Sequence, residues 1–300
     1  MTAEVEKTVS VRNHVVFFYD VLNQRQSLSQ WNDLSALTND QPKLAEALHQ
    51  SVIKVAWLRD TLCETAIALT EDRTDPRILA QLGPTEQQEL RLLGRAPIKA
   101  QHLSDATLLS APCMLDNGKP SLKVIAGLVA SAATVMLCAL DREIVIRGAI
   151  EVGAGCDMFG DEIYGPCVAT AYQLESEVAQ YPRLVVGPNL ADLVDRMRQH
   201  EDLTPYGAAC RSIGRFTFDM FFVDQDGVLA IDYLGEGARK AAPLLAKQTD
   251  MFARVNEFVC SEHRRFTELG NQKLANRYGL MRQYFESRSP LWTEHKQSDY

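Results

Sequence analysis

Residues 148–178 constrain this chain more than any other stretch, because five glycines and one proline leave few ways to thread them. Gly148-Ala149-Ile150-Glu151-Val152 reads as the end of a short apolar strand, and Gly153 and Gly155 break it into a turn. A second short strand lies between Cys156 and Cys167, and Gly165-Pro166 then opens a helix ending in Gln173-Leu174-Glu175. Proline fits the first turn of a helix, where its missing N–H would have had no intrahelical partner.

The rest of the chain alternates strand and helix patterns around this segment. Residues 14–22 form a nearly continuous β-branched and aromatic run, as in a strand buried on both faces. In 43–69 the apolar residues Leu44, Leu48, Val52, Val55, Leu58, Leu62 and Ile67 recur at helical spacing. Residues 70–97 are charged and proline-punctuated and read as an insertion with one short helix at 85–93, where Thr85 and Gln88 can form a capping box. A strand pair follows at 98–111, an exposed loop at 112–120 with Asn117-Gly118, an apolar helix at 121–140 and a strand at 143–152. A short strand at 182–186 and a short helix at 190–197 come next. Residues 214–223 and 228–233, joined by Asp224-Gln225-Asp226-Gly227, read as a hairpin. From 236 to 287 the pattern is helical, with Phe252, Val255, Phe258 and Val259 on one stripe and Leu274, Tyr278, Met281, Tyr284 and Phe285 on another. The polar residues 288–300 read as a mobile tail. The interleaving implies one α+β domain with a C-terminal helical addition.

Bulk properties narrow the function classes. A formal net charge of −8 and the lack of any basic run speak against a nucleic-acid surface. Residues 124–140 carry no charge, but the stretch is shorter than the ~20 residues a bilayer helix needs, so a buried core helix is expected and no membrane span. Seven cysteines, never spaced Cys-x-x-Cys, argue against a zinc site or disulfide framework and for a reducing, cytoplasmic setting. Residues 1–10 lack the apolar centre of a secretory signal. The histidines show no His-x-x-x-His spacing, the glycines make no phosphate-cradling loop, and there is no Gly-x-Ser-x-Gly elbow.

Two carboxylates occupy places where a charge needs compensation. Asp20 ends the run Val15-Val16-Phe17-Phe18-Tyr19, and Asp105 lies in Leu103-Ser104-Asp105-Ala106-Thr107-Leu108-Leu109. Each taken alone is also what a strand-ending cap or a plain hairpin turn looks like. Taken as a pair, they are hard oxygen donors suited to divalent metal and phosphoryl chemistry.

The strand–turn–strand–Gly-led helix order of 148–178, with Asp20 closing the first strand and Asp105 at the turn of the following hairpin, resembles the catalytic domain of class III nucleotidyl cyclases. The resemblance covers residues 12–235 and implies a ferredoxin-like α+β core, antiparallel-rich with helices on one face, extended by the helical segment 236–287. It implies that Asp20 and Asp105 hold two Mg²⁺ or Mn²⁺ ions, that a nucleoside triphosphate is the substrate, and that Gln101 and Glu162 read its base. Neither is the lysine or aspartate of adenine-selective members, so the base stays open. It further implies a head-to-tail homodimer with the site shared between subunits. Two positions depart from the pattern: where the family places a ribose-orienting asparagine and a charge-neutralising arginine, this chain has Ala169 and Gln173. Loss of such a cation costs on the order of a hundredfold in rate. Arg147, Arg95, Lys99 and Arg183 are cations nearby in sequence that could substitute, and nothing in the chain singles one out.

Two functions therefore stand open. One is a divergent nucleotide cyclase, a lyase forming a 3′,5′-cyclic nucleotide and pyrophosphate. The other is a catalytically inactive cyclase-homology domain that binds nucleotide or a protein partner as a signalling or dimerisation module.

Overall fold

The computed structural model of the protein describes residues 10–32, 38–70, 83, 97–158, 162–242 and 249–293. The expected insertion helix at 85–93 lies outside the described residues, as does nearly all of the charged segment around it. In chain order the elements are β1 (Ser10–Val21), α1 (Gln24–Ser29), α2 (Gln41–Leu48), α3 (Lys54–Thr70), β2 (Lys99–Leu103), β3 (Ala106–Pro112), α4 (Leu122–Asp141) and β4 (Ile146–Asp157). Then follow β5 (Ile163–Tyr164), α5 (Pro166–Gln173), β6 (Leu184–Val186), α6 (Pro188–Arg198), α7 (Pro205–Phe218), β7 (Phe221–Val223), β8 (Leu229–Ile231), α8 (Glu236–Ala241), α9 (Thr249–Glu268) and α10 (Gln272–Thr293).

The strands form one sheet in the order β2-β3-β1-β4-β6-β8-β7, with β5 hairpinned on β4. Only the β4–β6 pair is parallel; every other pairing is antiparallel. This is the antiparallel-rich α+β architecture expected from the sequence. β1 is central because its side chains from Val15 to Val21, Asp20 apart, find an apolar surface on one face or the other. Val15, Phe17, Tyr19 and Val21 join the main core, while Val16 and Phe18 join a smaller core on the opposite face.

The main core lies under α3, α4, α6, α7, α9 and α10, so the large helices share one face. α4 is its axle: 15 of its 20 residues are buried, and α3, α7 and α9 pack on it. It is long and apolar enough to cross a membrane, yet 78% of its most apolar window is buried inside the protein, as a core helix requires. α5 and the π turn Leu174–Val178 cover part of the other face, closing Val16, Phe18, Leu108 and Ile163 against Cys167 and Ala171. All seven cysteines are free thiols.

Several expectations need correction. The helix read at 43–69 is α2 and α3 joined through a π turn, His49–Ile53. The extra residue in that turn rotates the stripe, so Val52 and Ile67 are about half exposed and Leu58, Leu62 and Ala66 face the core. Gly153 and Gly155 do not make a turn, because β4 runs straight through them to Asp157. They are glycines because α5 presses on the strand. A Cβ on Gly155 would lie 2.7 Å from Ile163 Cδ1, 2.8 Å from Cys167 Sγ and 3.0 Å from His14 Nδ1. The strand expected at 143–152 starts later, at Ile146, after a left-handed Glu143 (φ 56°). Residues 214–218 are the end of helix α7, whose aromatic and β-branched composition reads as strand although Cys210, Gly214 and Thr217 are buried at helical spacing. The overlooked start signal was Thr204-Pro205: the Thr204 side chain accepts the Gly207 N–H at 3.2 Å, with proline at the first helical position. Finally, α10 continues to Thr293, through the first residues read as tail.

Gly155→Val tests the close approach of α5. Three contacts would have to shift together, so the variant should lose about 1–3 kcal/mol of stability in urea unfolding.

Candidate functional site

Strand β1 delivers Asp20 to the end of the sheet, opposite Ala106 on β3 and Arg147 on β4. Directly opposed residues in antiparallel strands share a face. Asp20 therefore points, with Val16 and Phe18, to the face not used by the main core. Asp105 sits in the tight turn between β2 and β3, where Ser104 takes a left-handed φ of 56°. Arg59 of α3 ties that turn down by donating to the Ser104 carbonyl.

The two aspartates, separated in sequence by three helices, line one cavity of about 520 Å³. Arg147 lies beside Asp20 on the sheet, and the other wall contains four residues of α10, namely Lys273, Leu274, Arg277 and Tyr278. Among the described residues neither carboxylate has an ion-pair partner. Burial, then the charge of Asp105, then that of Glu175 push the Asp20 carboxyl up to about 6, against the opposing pull of Arg147. A carboxylate held beside other carboxylates in a partly dry site is under electrostatic stress that a cation would relieve.

Arg147 is itself committed to Glu175, a buried residue of the π turn, through an ion pair made by its Nε. Burial raises the Glu175 pKa and the Arg147 guanidinium lowers it. Of the other cations close in sequence, Arg183 is engaged elsewhere through both terminal nitrogens. It donates to Asp224 at 2.8 Å, to Asp226 at 2.7 and 2.9 Å and to the Val178 carbonyl at 2.8 Å, pinning the β7–β8 turn. Lys99 bonds Asp157 at 3.0 Å, and Arg95 lies outside the described residues.

Gln101 is half-buried on β2 and Glu162 is exposed beside β5. β3, β1 and β4 separate these two strands, and only a long side chain bridges part of the gap: Lys99, on the same side of β2 as Gln101, reaches Asp157 of β4, whose backbone pairs with Ile163 next to Glu162. His14 also approaches Asp157, at 3.4 Å. Ala169 and Gln173 lie on the exposed side of α5, where Gln173 donates to Glu177 at 3.0 Å. They do not line the cavity that holds Asp20 and Asp105.

Lys273 and Arg277 were missed from the sequence. Their helix reads as a separate addition, and nothing local in Gln272-Lys273-Leu274-Ala275-Asn276-Arg277 announces a site. Among the described residues no group of three or more His, Cys, Asp or Glu is placed to hold a metal ion. Two carboxylates on a cavity wall still suit a hard divalent cation that arrives with oxygen ligands of its own.

No family model and no curated protein matches this chain. Among solved structures it is similar to the catalytic core of a rhodopsin-guanylyl cyclase with converted specificity, in complex with ATPalphaS, at 14% identity and a TM-score of 0.38; the match covers 62% of this chain and 83% of that one.

The stress on Asp20 has a measurable sign. Its folded pKa of about 6 lies above the ordinary aspartate value of 3.8, so the folded state holds this proton more tightly than the unfolded chain. The contribution is full below about pH 4 and is lost as pH rises through 6. Without added metal, Asp20→Asn should therefore gain stability relative to the wild type as pH rises from 4 to 7, read as the difference between their thermal unfolding curves.

Proposed function

We propose that this chain is a divergent nucleotide cyclase that converts a nucleoside triphosphate to a 3′,5′-cyclic nucleotide and pyrophosphate. The observation that carries this reading is the convergence of Asp20 and Asp105, from distant segments and without an ion-pair partner among the described residues, on one cavity that cations also line. Asp20 and Asp105 would hold Mg²⁺ or Mn²⁺, two ions per site, with phosphate oxygens and water completing each coordination shell. When bound, such ions lower the pKa of the attacking hydroxyl and neutralise charge on the phosphates.

The chain's own groups supply position and charge. The β1 end and the β2–β3 turn fix the two carboxylates at one rigid end of the sheet, and Glu175 holds Arg147 beside Asp20. The ribose 3′-oxygen then attacks the α-phosphorus in line, the bridge to the β-phosphate breaks, and pyrophosphate leaves. Gln101 and Glu162 offer donor and acceptor groups to a base edge. A head-to-tail homodimer is part of the proposal. Exposed Leu103 and Tyr172, at 76% and 58%, give apolar surface on the same side as Asp20 and support it.

The alternative, an inactive cyclase-homology domain that binds nucleotide or a partner protein, is favoured by one observation. The exposed side of α5 presents Ala169 and a Gln173 already bonded to Glu177, so that helix offers no cation to any neighbouring site.

Incubating the protein with each of the four NTPs and Mn²⁺, followed by mass spectrometry, tests the enzymatic reading. A cyclic nucleotide should form from at least one NTP and fall at least a hundredfold in Asp20→Ala and in Asp105→Ala. Mn²⁺-dependent thermal stabilisation by an NTP, lost in Asp20→Ala but with no cyclic product from the wild type, would instead identify the inactive binding domain. In size-exclusion chromatography with light scattering, Tyr172→Glu should shift a dimer to monomer.

A further inference from the structure

The cavity has an unequal distribution of charge that Asp20 and Asp105 do not explain. Three cations line the same cavity, Arg147 beside Asp20 and Lys273 and Arg277 on α10, and a single ion pair, that of Arg147 with Glu175, serves all three. Among the described residues Lys273 and Arg277 have no ion-pair partner. Arg277 is half-buried, and burial followed by the nearby charge of Arg147 lowers its pKa. Two guanidinium groups brought this close without enough carboxylate to balance them make a wall that favours an anion.

The same three cations also line a second, adjoining cavity of about 660 Å³, with Ser176, Gln180, Gln225 and two carboxylates, Asp224 and Asp226, that are both paired with Arg183. They stand at the junction of the two spaces, so an anion bound there has room to extend on both sides.

α10 is held rigidly enough to present these side chains. Farther along it, Arg288 pairs with Asp232 at 2.8 Å, Tyr284 donates to Asp232 at 2.8 Å, and Trp292 Nε1 donates to the Leu234 carbonyl at 2.9 Å. Tyr278, one residue beyond Arg277, is buried in the main core. The helix is therefore clamped to the end of β8 and to the core, and its cavity-facing residues project from a fixed support.

We propose that Lys273 and Arg277 of α10, with Arg147, form a polyphosphate-binding wall that grips the triphosphate of the substrate and the pyrophosphate product. The inference rests on the cyclase reading and deepens it. The ligand class follows from the opposite wall. Two carboxylates repel a bare anionic ligand, but they accept one that carries divalent metal, as di- and triphosphates do. Guanidinium groups match phosphate oxygens in bidentate geometry, and lysine adds a point charge.

The test uses the full chain, with MnCl₂ and inorganic pyrophosphate as probes in isothermal titration calorimetry. The wild type should bind Mn²⁺ and, more tightly, pyrophosphate in the presence of Mn²⁺. The double variant Lys273→Gln/Arg277→Gln should bind Mn²⁺ alone as well as the wild type, yet bind Mn²⁺–pyrophosphate at least tenfold more weakly. Arg277→Lys should recover part of the loss. Both positions reach solvent, so thermal unfolding should show the double variant folded like the wild type. If the double variant binds Mn²⁺–pyrophosphate as tightly as the wild type while Asp20→Asn abolishes it, the cation wall is wrong and the cyclase reading stands. If the wild type binds neither probe, both fall.

Discussion

Strand β1 must satisfy two chemically different surfaces at once, and the pleat alone keeps them apart. Val15, Phe17, Tyr19 and Val21 face the helices over α4, while Val16, Phe18 and Asp20 face the other way. Because side chains alternate strictly, a one-residue slip would drive the Asp20 carboxylate into the apolar core. The long pairing of β1 with β4 and the shorter pairing with β3 prevent that slip. Everything placed at the sheet end, including the Ser104-Asp105 turn and the start of β4, takes its position from this register.

The electrostatics at that end follow from what the register brings together. Asp20 faces Arg147 directly across the β1–β4 pair, an arrangement that would ordinarily neutralise both. Glu175, buried under the π turn, takes Arg147 instead. That competition leaves Asp20 with the charge of Asp105 as its main influence after burial, in a cavity that α10's cations also line. Arg183 shows the contrasting outcome: its hydrogen bonds to Asp224, Asp226 and a backbone carbonyl engage both terminal nitrogens, so it is a structural strut.

Much of the architecture was legible because local chemistry and tertiary context agreed. The β-branched run at 14–22, the β2–β3 hairpin around Ser104-Asp105 and the Gly165-Pro166 helix start each carry a signal within a few residues. Misreadings arose where a distant contact decided. Gly153 and Gly155 look like turn residues, but a helix lying against the strand requires their small size. Arg215-Phe216-Thr217-Phe218 has strand composition and is helical because its buried positions follow Cys210 and Gly214. The places of Asp20 and Asp105 at strand end and turn could be read from pattern. Lys273 and Arg277 could not, since no feature of their own segment reveals that the helix docks beside β1.

The clamp of Arg288, Tyr284 and Trp292 onto the end of β8 has a consequence for biosynthesis. A ribosome delivers Asp20 early and the helix bearing Arg277 late. While it is being made, the chain therefore exposes its like-charged carboxylates with no opposing wall. The pocket is complete only once this aromatic and guanidinium latch has seated the last helix beside the sheet.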